Sequence, residues 1–334
     1  MSIKTFAVDD GYAYTKVAWM NEDRRIETMV IPSVAAIGLH LTGFDGGGSG
    51  GYTTDDLNFT VSQSVSKPQS TEFEDYPFSP MNRVIVHHAL LETGKVRPGD
   101  TLEIALSVPM SVFYSQSNEE REQLRERRAK SFAHTVFPVG VDDPEPKSLG
   151  FSAVSVYPEA ASAFIDYLFG DDGETVNDNH GPVAIVDVGG HTTDVAVMLE
   201  GFQIDQRQSG TDEIGVLNLI RGIEDGVRSK YKFQPFAGLA ERALREPGNR
   251  VRIQGKIIDL SEIVTRAKHA VAEDIYQSVQ RRIGGAHGLD AVVFVGGGAT
   301  VMSDVLKSYP HVQVPPEPHF ANARGMLKYM NYLR

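Results

Sequence analysis

The sequence predicts an α/β protein of two domains, and three observations lead to that expectation. Apolar strand-like runs alternate with helix-like segments along the 334 residues, the pattern of α/β architecture. A strand–turn–strand string near the N-terminus recurs 178 residues later. A third apolar run, "AVVFV", delivers three glycines to the start of a helix-like segment.

Taken in chain order, "IKTFAVDDGYAYTKVAWM" reads as two strands around a polar turn and "RRIETMVIPS" as a third, an N-terminal meander. "GFDGGGSGGYTTDD" (43–56) reads as a hairpin tip or surface loop; no Lys-Ser or Lys-Thr follows its glycines, so the P-loop pattern fails. "PMNRVIVHHALLETGKV" predicts a helix capped at Asn82 and closed at Gly94. A helix turns His87 and His88 about 100° apart, poor geometry for a shared metal. "TLEIALSVP" (101–109) is a buried strand, and "SNEEREQLRERRAK" a charged helix with a capping box from Ser117 to Glu120. Its mixed charges read as a solvated face, with contact to an acidic partner the alternative for Arg125, Arg127, Arg128 and Lys130. "FSAVSVYPEAASAFIDYLFG" reads as strand, Pro158, then helix, and "DDGETVNDNHG" (171–181) as a loop or linker. After the second copy of the repeat, "GFQIDQRQSG" is expected as a strand, with helices over 212–230, 235–245 and 261–283. The final helix, "ANARGMLKYMNYLR", sets Ala323, Leu327, Met330 and Leu333 near one face, a core-packing stripe.

Composition narrows the function. With 41% apolar and 23% charged residues the chain suits two domains with real cores. It has no cysteine, so thiolate chemistry and disulfides are excluded. A net charge of -12 argues against direct nucleic-acid binding, which needs clustered Lys and Arg. No apolar run reaches the roughly 18 residues of a membrane span, and "MSIKTFAVDDG" lacks a signal peptide's apolar core. The expectation is a cytoplasmic protein that does not engage membranes.

The repeat is where the chemistry lies. Aligning "VDDGYAYTKVA" (8–18) with "VDVGGHTTDVA" (186–196) matches Val8 with Val186, Asp9 with Asp187, Gly11 with Gly189 and Thr15 with Thr193. Each copy is a strand, a carboxylate at the strand end, a glycine turn and a returning strand. Glycines let backbone amides approach phosphate oxygens, which a side chain would block. Thr192 and Thr193 add hydroxyl donors, and Lys16 can reach a terminal phosphate as a point charge. Two carboxylates repel phosphate, so Asp9 and Asp187 make sense with Mg²⁺ between, held through its waters. Gly296, Gly297 and Gly298 at a helix start can take a phosphate or let a nucleoside lie against backbone.

These motifs resemble the actin/Hsp70/sugar-kinase ATPase superfamily. The order matches: first phosphate hairpin "FAVDDGYAYTKVAW", connecting helix "YPEAASAF", second hairpin "IVDVGGHTTDVAV", adenosine motif "VVFVGGGA" and a terminal helix. Within it, "DDG", "HHALL", "PEAASAF" and "FANARGM" are similar to the plasmid-segregation ParM/StbA family. The resemblance implies an actin-like fold of two lobes, each with an RNase H-like sheet, and a nucleotide in the cleft between them. One domain would hold residues 1–160 plus 318–334, the other 161–317. Asp9 and Asp187 would bind Mg²⁺ through water. Asp10, Gly11, Tyr12, Lys16, Gly189, Gly190 and Thr192 would lie around the phosphates, with Gly296 to Gly298 on the nucleoside side. Tyr12 stands where relatives carry Ser or Thr, so its backbone N–H alone carries over. Glu159, with Asp9 and Asp187, makes up the catalytic set, and Glu159 occupies the place of the water-activating residue. Asp212, Glu213, Arg221 and Glu224 are candidates for ribose or base contacts, or plain solvated residues.

The function expected from this is an ATPase, with ATP and GTP not distinguished, that polymerises head to tail with nucleotide, disassembles after hydrolysis and segregates plasmid DNA through a DNA-bound adaptor protein. The alternative is a non-polymerising small-molecule kinase of the same superfamily, which would need a substrate pocket and a base that no motif supplies.

Overall fold

The computed structural model describes residues 3–40, 50–65, 67–114, 117–139, 146–178, 181–236, 238–284, 288–309 and 311–334. The chain forms two compact units, Met1–Asp178 with Phe320–Arg334, and Asn179–His319.

In the first unit, β1 (Lys4–Asp10), β2 (Tyr14–Met20) and β3 (Ile26–Pro32) form the expected antiparallel meander. Next come β4 (Ala35–Ile37), β5 (Gly51–Thr54) and β6 (Leu57–Val61), then α1 (Pro80–Glu92), β7 (Thr101–Val108), α2 (Met110–Tyr114), α3 (Asn118–Phe132), β8 (Phe137–Pro138), β9 (Gly150–Pro158) and α4 (Ala161–Leu168). The main sheet runs β3-β2-β1-β7-β9, with β1, β7 and β9 parallel. A smaller sheet runs β4-β6-β5-β8.

Side chains alternate across a strand, and β1 shows what that does here. Phe6 and Val8 pack with Val86, Ala89 and Leu90 of α1 and Phe132 of α3. Ala7 faces the other way, with Ala18 and Ala105, onto Ala323, Met326 and Leu327. Three alanines on that face leave room for a helix to lie close. Asp9 continues the alanine face and Asp10 the phenylalanine face.

The second unit repeats the layout. It contains β10 (Val183–Val188), β11 (Thr193–Leu199), β12 (Gln203–Ile204), β13 (Gly210–Asp212), α5 (Val216–Tyr231), α6 (Leu239–Arg245), β14 (Arg250–Ile253), β15 (Lys256–Asp259), α7 (Ser261–Ile283), β16 (Ala291–Val295), α8 (Gly296–Leu306) and β17 (Val312–Gln313). β10 pairs antiparallel with β11 and parallel with β16, as β1 does with β2 and β7. Val186, Val188, Val195 and Phe294 pack with Leu219, Ile223 and Val227 of α5 and Val271 and Ile275 of α7.

α9 (Ala321–Lys328), continued by a π-helical turn over Tyr329–Leu333, belongs to the first unit. It fixes where the chain divides. The sequence places the end of the first domain at 160, but α4 lies inside the first unit because α9 holds it. Asp166 of α4 takes Arg324 and Lys328 of α9, each at 2.7 Å. A Cβ on Gly325 would lie 1.7 Å from the Ser162 carbonyl oxygen, so this helix contact requires glycine.

Other expectations shift. α1 is capped by Ser79, whose hydroxyl accepts from the Asn82 amide; Asn82 itself is buried inside the helix. The Ser117–Glu120 capping box forms. Of the glycine-rich stretch, 43–49 lies outside the described residues and Gly51–Thr54 is strand β5. "GFQIDQRQSG" contributes only the two-residue β12 and the first residue of β13, and α5 starts at Val216 because 210–212 belong to the sheet.

Candidate functional site

In the first unit the residues of interest lie in one row across the sheet. Asp9 stands opposite Lys16 on β2, whose Nζ is 3.0 Å from Asp9 Oδ2. On the β7 side, Ser107 Oγ lies 3.2 Å from Asp9 Oδ1 and 3.1 Å from Glu159 Oε1. The fold therefore brings Asp9, Lys16 and Glu159 together, with Ser107 between the two carboxylates. Asp9 and Ser107 are buried. Glu159 follows the end of β9, and its amide donates to Val108 O at 2.9 Å. The next residue, Ala160, has φ +58°, which strains any residue but glycine. Its amide donates to Asn322 Oδ1 at 3.0 Å, so α9 helps hold the bend that aims Glu159.

The turn of the first hairpin is anchored by its carbonyls. Ser33 Oγ donates to Gly11 O at 2.8 Å, Thr71 Oγ1 to Tyr12 O, and the Ser33 amide to Ala13 O at 3.0 Å. In a trans peptide the N–H points opposite to the C=O. Tying the Gly11 and Tyr12 carbonyls back to the scaffold thus turns the Tyr12 and Ala13 amides away from it. Tyr12 packs on Tyr76, ring centroids 5.6 Å apart. Burial, then the nearby Glu159 and Asp10 charges, raise its phenol above the ordinary value.

The second hairpin reaches the same result by another route. The Val216 amide donates to Gly189 O at 3.1 Å and the Leu217 amide to Gly190 O at 2.9 Å. The first amides of α5 thus hold the turn's carbonyls, and the amides of Gly190 and His191 face the other way. A Cβ on Gly215 would lie 2.6 Å from Gly190 O, so this docking requires glycine there. Thr192 is half-buried and its carbonyl accepts from the Gly189 amide at 2.8 Å.

Asp187, one residue before the end of β10 and buried, meets the third glycine motif. A Cβ on Gly296 (φ +87°) would sit 2.2 Å from Asp187 Oδ1, and one on Gly298 would sit 2.3 Å from Val188 Cγ1. Those two glycines are required by the fold. Gly297 and Gly190 have nothing within 4 Å of a Cβ and no positive φ, so the fold does not demand glycine at either. Opposite Asp187 on β11 stands Asp194, buried, accepting from the Thr211 hydroxyl. Burial, reinforced by Asp212, holds its carboxyl above the usual carboxylate range against the Thr211 hydrogen bond.

Some residues singled out in the sequence are engaged by partners that the sequence does not show. Asp10, expected beside the phosphates, faces α1 and α3. Its Oδ2 accepts from Arg128 at 2.7 Å and from Asn82 Nδ2 at 2.6 Å. Arg128, expected on a solvated face, is fully buried. Asp212 is held by Arg282 at 2.7 Å, while Glu213 and Arg221 are exposed and Glu224 is half-buried. His87 is buried, which drives its imidazole down to about 4, and among the described residues no cluster suits a metal ion. Ser107, Ser33, Thr71, Asp194 and Gly215 escape a reading of the sequence. Only Gly215, a lone glycine just before a helix, leaves a signal there.

Two hairpin-led sheets with duplicated topology, each ending in a carboxylate and a glycine turn, define an actin-like protein. Residues 3–168 match the family model for the N-terminal part of plasmid segregation protein ParM, and residues 185–308 that for the C-terminal part of archaeal actin homologue MreB-like proteins. Both models describe parts of actin-like proteins, and the chain has the actin-like fold. Among solved structures it resembles the archaeal actin homologue Ta0583, at 19% identity with 98% of this chain and 99% of that one covered and a TM-score of 0.79. The ADP complex of Ta0583 gives 20%, 98%, 99% and 0.77. A 15-stranded ParM filament from Clostridium botulinum gives 20%, 98%, 99% and 0.74. No curated protein sequence matches the chain. Among the described residues, no helix is long and apolar enough to cross a membrane.

Proposed function

We propose that this chain is an ATPase that binds a magnesium nucleoside triphosphate, assembles into filaments with it and disassembles after hydrolysis. One observation supports the reading above the rest. In both hairpins the turn carbonyls accept hydrogen bonds from the scaffold, which leaves the following amides facing the other way. Oriented amides over a glycine turn are an anion site. The amides of Tyr12, Ala13, Gly190 and His191 are the phosphate-facing donors in this reading, in turns that Gly11, Gly189 and Thr192 complete, with Gly297 the nucleoside-facing glycine.

Asp9 and Asp187 are oxygen donors of the kind magnesium takes, and Asp9 already accepts a cation, the Lys16 ammonium. Magnesium bound with its nucleotide supplies charge neutralisation on the phosphates. Lys16 moves from Asp9 to the terminal phosphate as a point charge. Glu159 orients the attacking water and accepts its proton. The ADP complex of Ta0583 and the filament form of the Clostridium botulinum ParM support nucleotide binding and self-association as the reading for this chain. The chain's acidity supports contact with DNA through an adaptor protein, and plasmid segregation is the role proposed.

Light scattering and phosphate release on purified protein test this together. Scattering should rise on adding magnesium ATP and decay as phosphate appears; turnover stimulated by a small molecule without scattering would point instead to a kinase. Glu159→Ala should still bind and assemble but release phosphate slowly. Asp187→Ala should lose the magnesium-dependent part of its ATP affinity.

A further inference from the structure

Ser107 bridges two carboxylates to which the proposed reaction gives different tasks. Its hydroxyl lies 3.2 Å from Asp9 Oδ1 and 3.1 Å from Glu159 Oε1, and the residue is buried one position before the end of β7. A hydroxyl has one proton to donate. It therefore serves one of these acceptors at a time, and the stronger acceptor takes it. From this geometry we infer that Ser107 is a positioning residue that ties the orientation of Glu159 to what Asp9 is bound to. With Lys16 on Asp9, as here, the carboxylates compete for the proton. When Asp9 takes up other donors, the proton turns to Glu159 and fixes one of its oxygens. The inference rests on the ATPase reading above, because it acts through Glu159.

Three variants test it: Ser107→Ala, Glu159→Ala and the double variant. Magnesium ATP is the substrate, and a fluorescent ATP analogue with magnesium reports affinity. Phosphate release by Ser107→Ala should be slower by about 10-fold, the scale for removing a group that orients a functional ligand. Affinity for the analogue should stay within about 3-fold, since in this reading Ser107 touches no nucleotide. Loss of a donor to a carboxylate favours its protonated form, so the acid limb of the rate profile should move to higher pH. The double variant should be no slower than Glu159→Ala alone, because both changes act on one step. The melting temperature of Ser107→Ala, taken without nucleotide, should stay near that of the unaltered protein.

Ser107→Ala at the normal rate, beside a slow Glu159→Ala, overturns this inference alone. So does a double variant whose losses multiply, or an unmoved acid limb. Glu159→Ala at the normal rate overturns the parent assignment, and this one with it.

Discussion

Replacing Gly298 with alanine adds one methyl group where β10 ends against α8. The new Cβ would sit 2.3 Å from Val188 Cγ1 and 3.0 Å from its carbonyl oxygen. Val188 is fully buried and has little room to retreat. Overpacking of this kind costs about 1–3 kcal/mol, and alanine's better helix propensity offsets up to about 1 kcal/mol of it. With the overpacking cost at the middle of its range and the full propensity offset, a net loss of about 1 kcal/mol is expected. Gly297, one residue earlier, meets nothing within 4 Å. Gly297→Ala should therefore gain about 0.5 kcal/mol by restricting the unfolded chain. It also fills the ground on which the proposed nucleoside lies, so affinity for magnesium ATP should fall at least about tenfold, or about 1.4 kcal/mol. Urea unfolding followed by circular dichroism measures the first pair of effects, and titration with a fluorescent ATP analogue measures the last. Normal nucleotide affinity in Gly297→Ala would refute the assignment of that helix start. Unaltered stability in Gly298→Ala would refute the packing argument.

Gly325→Ala should lower the melting temperature by more than either alanine substitution in α8, because the methyl would lie 1.7 Å from the Ser162 carbonyl oxygen; a normal melting curve would count against the α4–α9 contact. Arg128→Met leaves Asp10 buried with its ion pair broken and should cost about 3–5 kcal/mol, part of which the further change Asp10→Asn should restore in denaturant unfolding. His87 is held neutral, at about 4 against an ordinary 6.5, so the unfolded chain binds more protons between those values. Stability from this residue is then complete above about pH 6.5 and falls as pH drops towards 4, by up to about 3 kcal/mol. His87→Gln should flatten that slope in melting temperature against pH, and an unchanged slope would clear His87 of the effect.

What could be read from the sequence was what is local. The alternation in "FAVDD" gives β1 two faces, and a carboxylate–glycine turn announces a tight hairpin. The duplication was legible because it repeats side chains at one offset. What escaped was non-local. Arg128 sits in a run of charges that suits a solvated face, and nothing nearby marks it as the partner of Asp10, 118 residues away. Asp10 illustrates the same limit from the other side. Period 2 puts it on the opposite face from Asp9, yet only the packing of α1 and α3 shows what waits there. Ser107 reads as an ordinary strand residue until β1 and β7 are set in register. The three glycines of α8 look alike in sequence, and only their neighbours separate two that the packing requires from one that it does not.

The two hairpins also show which part of a duplicated element is preserved in this chain. At the common offset Lys16 aligns with Asp194, and each stands directly across from the aspartate one residue before the end of the preceding strand. The first unit thus sets an ammonium beside Asp9, while the second sets another acid beside Asp187. The charges are opposite, but both turns have their carbonyls tied back, one by Ser33 and Thr71, the other by the first amides of α5. Different donors reaching the same peptide orientation argue that the direction of the amides is the shared requirement. The side chains flanking each turn are then free to diverge: a cation built into the chain stands opposite Asp9 at one hairpin, and at the other a second acid stands opposite Asp187, its carboxyl held above its usual range by burial and by Asp212.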